Sequence, residues 1–205
     1  AWIITAGQHY EGIFYRNQGA FGDFPKTRQP MTEPTEDIIS VENAGTLDGL
    51  MRQRIKRTPD NTAYRSYDAA SKQWVDTSWA EVGEQIARWQ AALADEKLLP
   101  GERVAVHLRN SKEWVFFDQA ALACGLVIVP LYTDDRPDNI AYIMTDSAVR
   151  VLLVQDAAVW KRIGPALAGQ EDLQRVLILD DSRSDTAEAL QDERVRCVSD
   201  WLPDN

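Results

Sequence analysis

The sequence predicts an α/β fold, in which a mainly parallel sheet carries helices on both faces and follows an N-terminal β-hairpin. The sheet is indicated by three apolar runs at 103–109, 127–131 and 151–155. The segments between the runs repeat apolar residues at helical spacing, which predicts connecting helices of about a dozen residues. Parallel strands need such crossover connections, and their sheets are usually covered on both faces. The alternation therefore favours a parallel sheet between two helical layers.

The residues before the sheet predict a helix and then the hairpin. Thr46 is a suitable cap for an amphipathic helix over 47–55, whose exposed face is basic. Two short aromatic-rich runs, 62–67 and 73–77, follow and are joined by a polar stretch. Runs of this kind around a short polar connection are typical of two antiparallel strands.

A long helix is predicted directly after the hairpin. Ser78 and Glu81 have the spacing of a capping box, in which the serine caps the helix and the glutamate bonds back to the cap. Four apolar side chains then share one face of the helix: Val82, Ile86, Trp89 and Leu93. This pattern predicts that the helix packs against the core and ends by the Leu-Pro-Gly turn at 99–101.

The connections within the sheet have their own start and stop signals. Asn110 and Ser111 offer a cap for an apolar helix over 112–124, and Gly125 closes it. Pro137 stands where a first helical residue would stand, and apolar residues follow it at helical spacing. Both signals place a helix between consecutive strands.

The last part of the chain continues the alternation. Asp156 is a cap for a helix that ends around Gly169, and 175–180 is another buried strand. A short helix is predicted over 187–190 and a last short strand over 194–198.

Residues 1–45 are predicted to be an irregular leader. Over 1–30, aromatic residues alternate with glycines and polar residues without a sustained helical or strand period. Met31 is followed by a polar, acidic stretch typical of disordered N-termini, so we interpret Met31 as the native start and residues 1–30 as not native. The alternative is a native extension whose aromatic side chains bind a partner.

Charge and composition exclude several classes of function. The net charge of the 205-residue chain is −10, which argues against nucleic acid or an anionic membrane as the primary partner, because both repel an acidic surface. No run approaches the roughly 18 apolar residues that a membrane-spanning helix needs. Cys124 and Cys197 are too few for a disulfide framework, and Cys124 is interpreted as a small core residue.

Three stretches of the central segment resemble a known family. They read Gly-Glu-Arg-Val-Ala-Val at 101–106, Asn-Ser-Lys-Glu-Trp at 110–114 and Ala-Leu-Ala-Cys-Gly-Leu-Val-Ile-Val-Pro-Leu-Tyr at 121–132. The pattern resembles the N-terminal domain of adenylate-forming enzymes, and within them the acyl-CoA synthetases that act on long-chain fatty acids. Trp114 and Tyr132 favour that subgroup. The resemblance implies that 46–205 is the N-terminal part of an AMP-binding domain, an incomplete first lobe.

The resemblance implies a ligase as the parent protein. A fatty acid carboxylate would attack the α-phosphate of ATP to give an acyl-adenylate and pyrophosphate, and the thiol of coenzyme A would then displace AMP. ATP, Mg²⁺ and coenzyme A are the implied cofactors. The family's phosphate loop, rich in Ser, Thr and Gly and ending in Pro-Lys-Gly, does not occur in the sequence, nor does another glycine-rich phosphate motif. We therefore expect the catalytic motifs to lie beyond Asn205, and expect this chain alone to be inactive and to bind none of these cofactors productively.

Two rival functions stay open. One is another carboxylate-adenylating enzyme, either a peptide-synthetase adenylation domain or an aryl-acid ligase. The other is a non-catalytic α/β interaction module. For the parent ligase we expect a cytoplasmic location, with peripheral contact to the inner face of the membrane or a homodimer as further options. We also expect exposed apolar edges and marginal stability, because sheets of the family are closed by later strands.

Few residues could carry chemistry. His9 and His107 are isolated, and His107 is interpreted as a hydrogen-bonded structural histidine inside a strand. Asp134, Asp135 and Asp138 form a carboxylate cluster at the carboxyl end of a strand, where open α/β sheets bind ligands. Magnesium or acid–base chemistry is one interpretation of the cluster. We favour the other, a polar loop before a helix whose N-terminus attracts acidic residues.

Asn110 and Trp114 belong to the stretches that carry the resemblance. We assign them to capping and packing the helix that follows. The sequence therefore assigns no catalytic, cofactor-binding or metal-binding residue to this chain.

Overall fold

The computed structural model describes residues 37–68, 71–182 and 186–204. The predictions for residues 1–30, for Met31 and for His9 lie outside these residues. One turn of helix, α1 (Val41–Ala44), forms where the sequence predicts an irregular leader. It forms because the side chain of Ser40 caps it by accepting a hydrogen bond from the amide of Asn43.

The first helix, the hairpin and the long helix are confirmed. Thr46 Oγ1 accepts a hydrogen bond from the amide of Gly49 at 2.9 Å and caps the helix. Ser78 and Glu81 make both reciprocal hydrogen bonds of the capping box. The elements are α2 (Leu47–Arg57), the antiparallel strands β1 (Thr62–Asp68) and β2 (Gln73–Ser78), and α3 (Trp79–Asp95).

The predicted parallel sheet is also confirmed. Its strands are β3 (Arg103–His107), β4 (Val127–Pro130), β5 (Val149–Asp156), β6 (Arg175–Asp180) and β7 (Val195–Cys197). Within the described residues they form one five-stranded sheet in the order β4-β3-β5-β6-β7, and each neighbouring pair is parallel. The connecting helices are α4 (Lys112–Ala123), α5 (Pro137–Asp146), α6 (Ala157–Ile163) and α7 (Thr186–Ala189), and α8 (Val198–Trp201) follows the last strand.

Strand β3 shows how the two layers share the sheet. Val104 and Val106 belong to the hydrophobic core that includes α3 and α4, whereas Ala105 belongs to the core that includes α5 and α6. Alternate side chains of a strand point to opposite faces, so one strand contributes to both cores. The sheet therefore has helices on both faces, as predicted.

Several predicted boundaries differ from the structure. Strand β3 ends at His107 and not at Arg109, so 108–109 become part of the loop. Helix α6 ends at Ile163, and a 3₁₀ turn over Gly164–Leu167 replaces the predicted continuation to Gly169. Pro165 explains this change, because it has no N–H to donate to the α-helical ladder.

The C-terminal part is more helical than predicted. Strand β7 stops at Cys197, and α8 begins at Val198, the last residue of the strand predicted over 194–198. Over the stretches that the structure describes, no helix combines the length and the apolar character needed to span a bilayer. Strand β4 lies at one edge of the sheet, and Val127 there is exposed, as expected for an apolar edge.

Candidate functional site

A cavity of about 750 Å³ opens at the carboxyl edge of the sheet, where β3 and β4 end. It is lined by residues 108–110 after β3, by Trp114 of α4, by Pro130 at the end of β4 and by residues 131–133 after it. The backbone joins the two strand ends, because the amide of Leu131 donates a hydrogen bond of 2.9 Å to the carbonyl of Val106. Ligands of open α/β sheets bind at this edge, which makes the cavity the candidate site.

The wall of the cavity is apolar with polar groups at its rim. Leu108 and Leu131 are buried, and Tyr132 presents its ring to solvent with 84% of its surface exposed. Arg109 and Asn110 are both exposed and line the same cavity. An apolar wall beside a guanidinium group suits an acid that has an apolar body and an anionic head.

The start of α4 differs from the prediction for Asn110. Ser111 is the N-cap, and its Oγ accepts a hydrogen bond of 3.1 Å from the amide of Trp114. Asn110 is therefore not the cap, and its side chain is left at the cavity. Trp114 is half-buried and packs against the core of α3 and α4, as predicted, while it also lines the cavity.

The carboxylate cluster lies in the loop over 131–136 and in the first turn of α5. Asp135 Oδ1 accepts hydrogen bonds of 2.8 Å from Asn139 Nδ2 and from the amide of Arg136. These two bonds, the one from Asn139 first, lower the pKa of Asp135. Asp138 lies in the first turn of α5, where the helix dipole favours an acidic residue. This geometry agrees with a polar loop that leads into a helix.

Arg162 of α6 holds the same loop. Its guanidinium group donates hydrogen bonds of 3.0 Å to the carbonyls of Thr133 and Asp135. The sequence gives no sign of this contact, because 27 to 29 residues separate the partners along the chain. The loop that forms one wall of the cavity is thus held by Arg162 of α6.

His107 departs from the prediction of a hydrogen-bonded histidine. Its side chain is 1% exposed, and neither ring nitrogen has a hydrogen-bond partner among the described residues. Burial lowers the pKa of His107, and the charge of Arg162 acts in the same direction, while its own backbone and Asp134 oppose the shift. The prediction was wrong because a strand pattern shows that a side chain is buried but not which groups meet it.

The two cysteines lie outside the cavity. Cys197 is buried and Cys124 half-buried, and burial raises the pKa of both thiols. The thiol of Cys124 donates to the carbonyl of Gln90 at 3.7 Å. Neither thiol has the lowered pKa of a nucleophile.

Possible metal ligands are not clustered in the part of the chain that the structure describes. Over the described ranges, no three His, Cys, Asp or Glu side chains lie close enough together to share a metal ion. The Asp135 carboxylate already accepts hydrogen bonds from the amide of Arg136 and from the side chain of Asn139. The described residues therefore offer no cluster of three such side chains for Mg²⁺, the ion that the resemblance implies.

Arg109 lines the cavity, although the sequence pattern places it inside a strand and therefore gives it no functional role. A usable signal was present, since a cation directly after an apolar run lies at the carboxyl end of a parallel strand. Leu108 and Tyr132 line the same cavity because β3 and β4 are neighbours in the sheet, and the sequence pattern does not reveal this strand order.

Comparisons with known proteins agree with this architecture. A long-chain-fatty-acid–CoA ligase of Mycobacterium bovis, FadD15, is 30% identical over 82 residues, which is 40% of this chain. The phosphinothricin tripeptide synthetase PhsB of Streptomyces viridochromogenes is 29% identical over 133 residues, or 63% of this chain. The chain spans only 14% and 11% of the lengths of these two relatives.

Among solved structures, the A-PCP didomain of a carboxylic acid reductase from Segniliparus rugosus shares the fold. Its TM-score is 0.65 at 17% identity, and the match covers 80% of this chain and 28% of that one. The family profile described as AMP-binding enzyme matches residues 51–202 of this chain, which takes in the sheet and the cavity. The chain thus belongs to the AMP-binding enzyme family.

Proposed function

We propose that this chain is the N-terminal part of an enzyme that activates a long-chain fatty acid with ATP and transfers the acyl group to coenzyme A. The observation that carries the proposal is the cavity at the sheet edge, with its apolar wall and Arg109 at its rim. Membership of the AMP-binding family supports the adenylation step. The likeness to a fatty-acid–CoA ligase supports the substrate class and the thiol acceptor.

The chain's own contribution is to shape one side of the acyl site. Leu108, Leu131 and Tyr132 line the cavity, and Tyr132, which is the exposed one of the three, offers most of the apolar surface. Covering that ring would contribute about 1.5–3 kcal/mol at most. Arg109 offers a cation to the carboxylate or to the phosphate of the adenylate. We assign the triphosphate, Mg²⁺ and the catalytic groups to residues of the whole protein outside this chain.

Activation of an amino acid is the second candidate. The match to the tripeptide synthetase supports it, because that match covers more of this chain than the match to the fatty-acid ligase. An amino acid carries an ammonium group, which in such an apolar site would need a carboxylate partner. The described residues that line the cavity include the cation Arg109 and no carboxylate, so fatty acid remains the preferred substrate.

A substrate panel tests the proposal. The protein encoded by the complete reading frame is incubated with ATP, Mg²⁺, coenzyme A and an equimolar mixture of palmitate, benzoate and amino acids, and the products are identified by mass spectrometry. The expected product is palmitoyl-CoA, with AMP and pyrophosphate in equal amounts. Benzoyl-CoA or an aminoacyl-adenylate as the main product would contradict the substrate class. The 205-residue chain, assayed in parallel, should give no product.

A further inference from the structure

The loop over 131–136 brings Tyr132 and Thr133 into the lining of the cavity. The ring of Tyr132 is 84% exposed, so its place is set by the backbone of the loop and not by packing in the core. The loop starts from a fixed point, because the amide of Leu131 donates a hydrogen bond of 2.9 Å to the carbonyl of Val106 in β3. The position of the ring therefore depends on how the rest of the loop is held.

The hydrogen bonds inside the loop are local. The amide of Asp135 donates to the carbonyl of Tyr132 at 3.2 Å. The carboxylate of Asp135 accepts from the amide of Arg136 and from the side chain of Asn139, both at 2.8 Å. These bonds shape the loop and the first turn of α5, and they leave the attachment of the loop to the rest of the protein to contacts of longer range.

Arg162 supplies such an attachment from α6. Its Nη1 and Nη2 atoms donate hydrogen bonds of 3.0 Å, the first to the carbonyl of Asp135 and the second to the carbonyl of Thr133. The donors of a guanidinium group lie in one rigid plane, so a pair of bonds sets both the distance and the orientation of the loop. Arg162 itself lies outside the described cavity lining, so it acts on a ligand through the loop.

Helix α6 is a rigid support for this contact. Its residues Ala157, Trp160 and Ile163 are at most 7% exposed and belong to the core on this face of the sheet. The side chain of Asp156 caps the helix by accepting a hydrogen bond of 2.9 Å from the amide of Val159. A capped helix that is anchored in the core gives the side chains on its exposed face a defined place, as a precise binding site requires.

We propose that Arg162 is a positioning residue of the acyl site. By holding the carbonyls of Thr133 and Asp135, it keeps the ring of Tyr132 in the place where the acyl chain meets it. Without the arginine the loop takes up several arrangements, and a ligand has to order the loop at the expense of affinity. The role in acyl binding rests on the proposed function, whereas the hold on the loop can be measured without activity.

A double-mutant cycle in the protein encoded by the complete reading frame tests the proposal. Arg162→Gln should raise KM for palmitate about 3- to 10-fold and leave kcat within about twofold, because the loop wall contributes to binding and not to the chemical step. In a Tyr132→Ala background the same substitution should change KM less than about twofold, since the ring that the arginine positions is gone. Arg162→Lys keeps the charge but loses the planar pair of donors, so its KM should be raised like that of Arg162→Gln.

Arg103→Gln is the matched control. The guanidinium group of Arg103 also holds a loop by donating to two carbonyls, those of Ser147 and Ala148. That loop precedes β5 and lies at the opposite edge of the sheet from the cavity. The KM of this variant for palmitate should stay within about twofold of the wild-type value, as expected for an independent site.

Amide hydrogen exchange, followed by mass spectrometry on the same proteins, measures the hold on the loop. In Arg162→Gln, peptides covering 131–139 should exchange about tenfold faster or more, the usual effect of losing a hydrogen bond to a charged group. Peptides covering 149–156, in β5, should exchange as in the wild type. Faster exchange in both regions would indicate a general loss of stability and would contradict the proposal.

The remaining outcomes also decide. Unchanged exchange over 131–139 would overturn the proposal, as would equal effects of Arg162→Gln on KM in the wild type and in the Tyr132→Ala background. A normal KM in Arg162→Lys would overturn it too, since charge alone would then suffice. Absence of palmitate turnover in the wild type would contradict the proposed function and with it the acyl role, while faster exchange in Arg162→Gln would still show that Arg162 holds the cavity wall.

Discussion

Replacing Trp89 with alanine should lower the free energy of unfolding by about 3–5 kcal/mol, the usual cost of removing a large buried aromatic side chain. Trp89 is 2% exposed, and its ring lies edge-on to Phe117 and Trp201 at centroid distances of 6.0 and 5.8 Å. The three rings join α3, α4 and α8 on one face of the sheet, so the cavity left by the substitution has rigid walls on several sides. Urea unfolding followed by circular dichroism measures the change.

Trp74→Ala is the matched control for this substitution. Trp74 is 51% exposed. Within the described residues, the one aromatic ring that it contacts is that of Tyr67 in the same hairpin, in an edge-on arrangement. A cross-strand pair of this kind contributes about 0.2–1 kcal/mol. Equal losses for the two variants would contradict the assignment of Trp89 to the core that unites the three helices.

The second large effect is expected at Glu96, at the end of α3. Its Oε1 accepts hydrogen bonds from Arg175 Nε at 2.9 Å and from Trp201 Nε1 at 2.8 Å. The side chains of Glu96 and Arg175 are 12% and 19% exposed, so this ion pair is largely shielded from water. Glu96→Ala leaves Arg175 without its carboxylate and should cost about 3 kcal/mol, the lower end for breaking a buried ion pair.

Glu188→Ala is the control for Glu96→Ala, because it removes a carboxylate from an ion pair that is exposed to solvent. Glu188 pairs with Lys161 at 2.9 Å, and both side chains are 64% exposed. An exposed pair contributes about 0–1 kcal/mol, so the urea midpoint of this variant should change little. A change at Glu96 no larger than that at Glu188 would show that the contact does not tie α8 to the sheet.

Local signals account for most of the fold. Ser78 and Glu81 make the capping box that their spacing predicts, and Pro137 begins α5 as its fixed φ angle favours. These features depend on residues three or four positions apart, which a sequence shows directly. The same holds for the continuous apolar runs that form the parallel strands.

The failures of sequence reasoning have a common physical cause. Asn110 and Ser111 can both cap a helix, and the choice between them depends on where β3 ends. Whether the ring nitrogens of His107 find hydrogen-bond partners depends on which groups pack around them in the folded chain, and among the described residues they find none. The cavity likewise needs two strand ends side by side, so the sequence pattern does not show that its residues form one site.

The central claim is that the cavity at the sheet edge forms part of the acyl site of the whole enzyme. Tyr132 tests it most directly, because its exposed ring lines the cavity and Tyr132→Ala removes little from the core. Tyr142 on α5 is 70% exposed and lies outside the cavity lining, which makes Tyr142→Ala the matched control. Both variants are made in the protein encoded by the complete reading frame.

The decisive measurement is kcat/KM for palmitate, obtained from the rate of pyrophosphate release. Covering an aromatic ring contributes about 1.5–3 kcal/mol, so Tyr132→Ala should lower kcat/KM about 10- to 100-fold. Tyr142→Ala should stay within about twofold of the wild type, as expected for a surface substitution. Equal values for the wild type and Tyr132→Ala would contradict the claim that this cavity holds the acyl substrate.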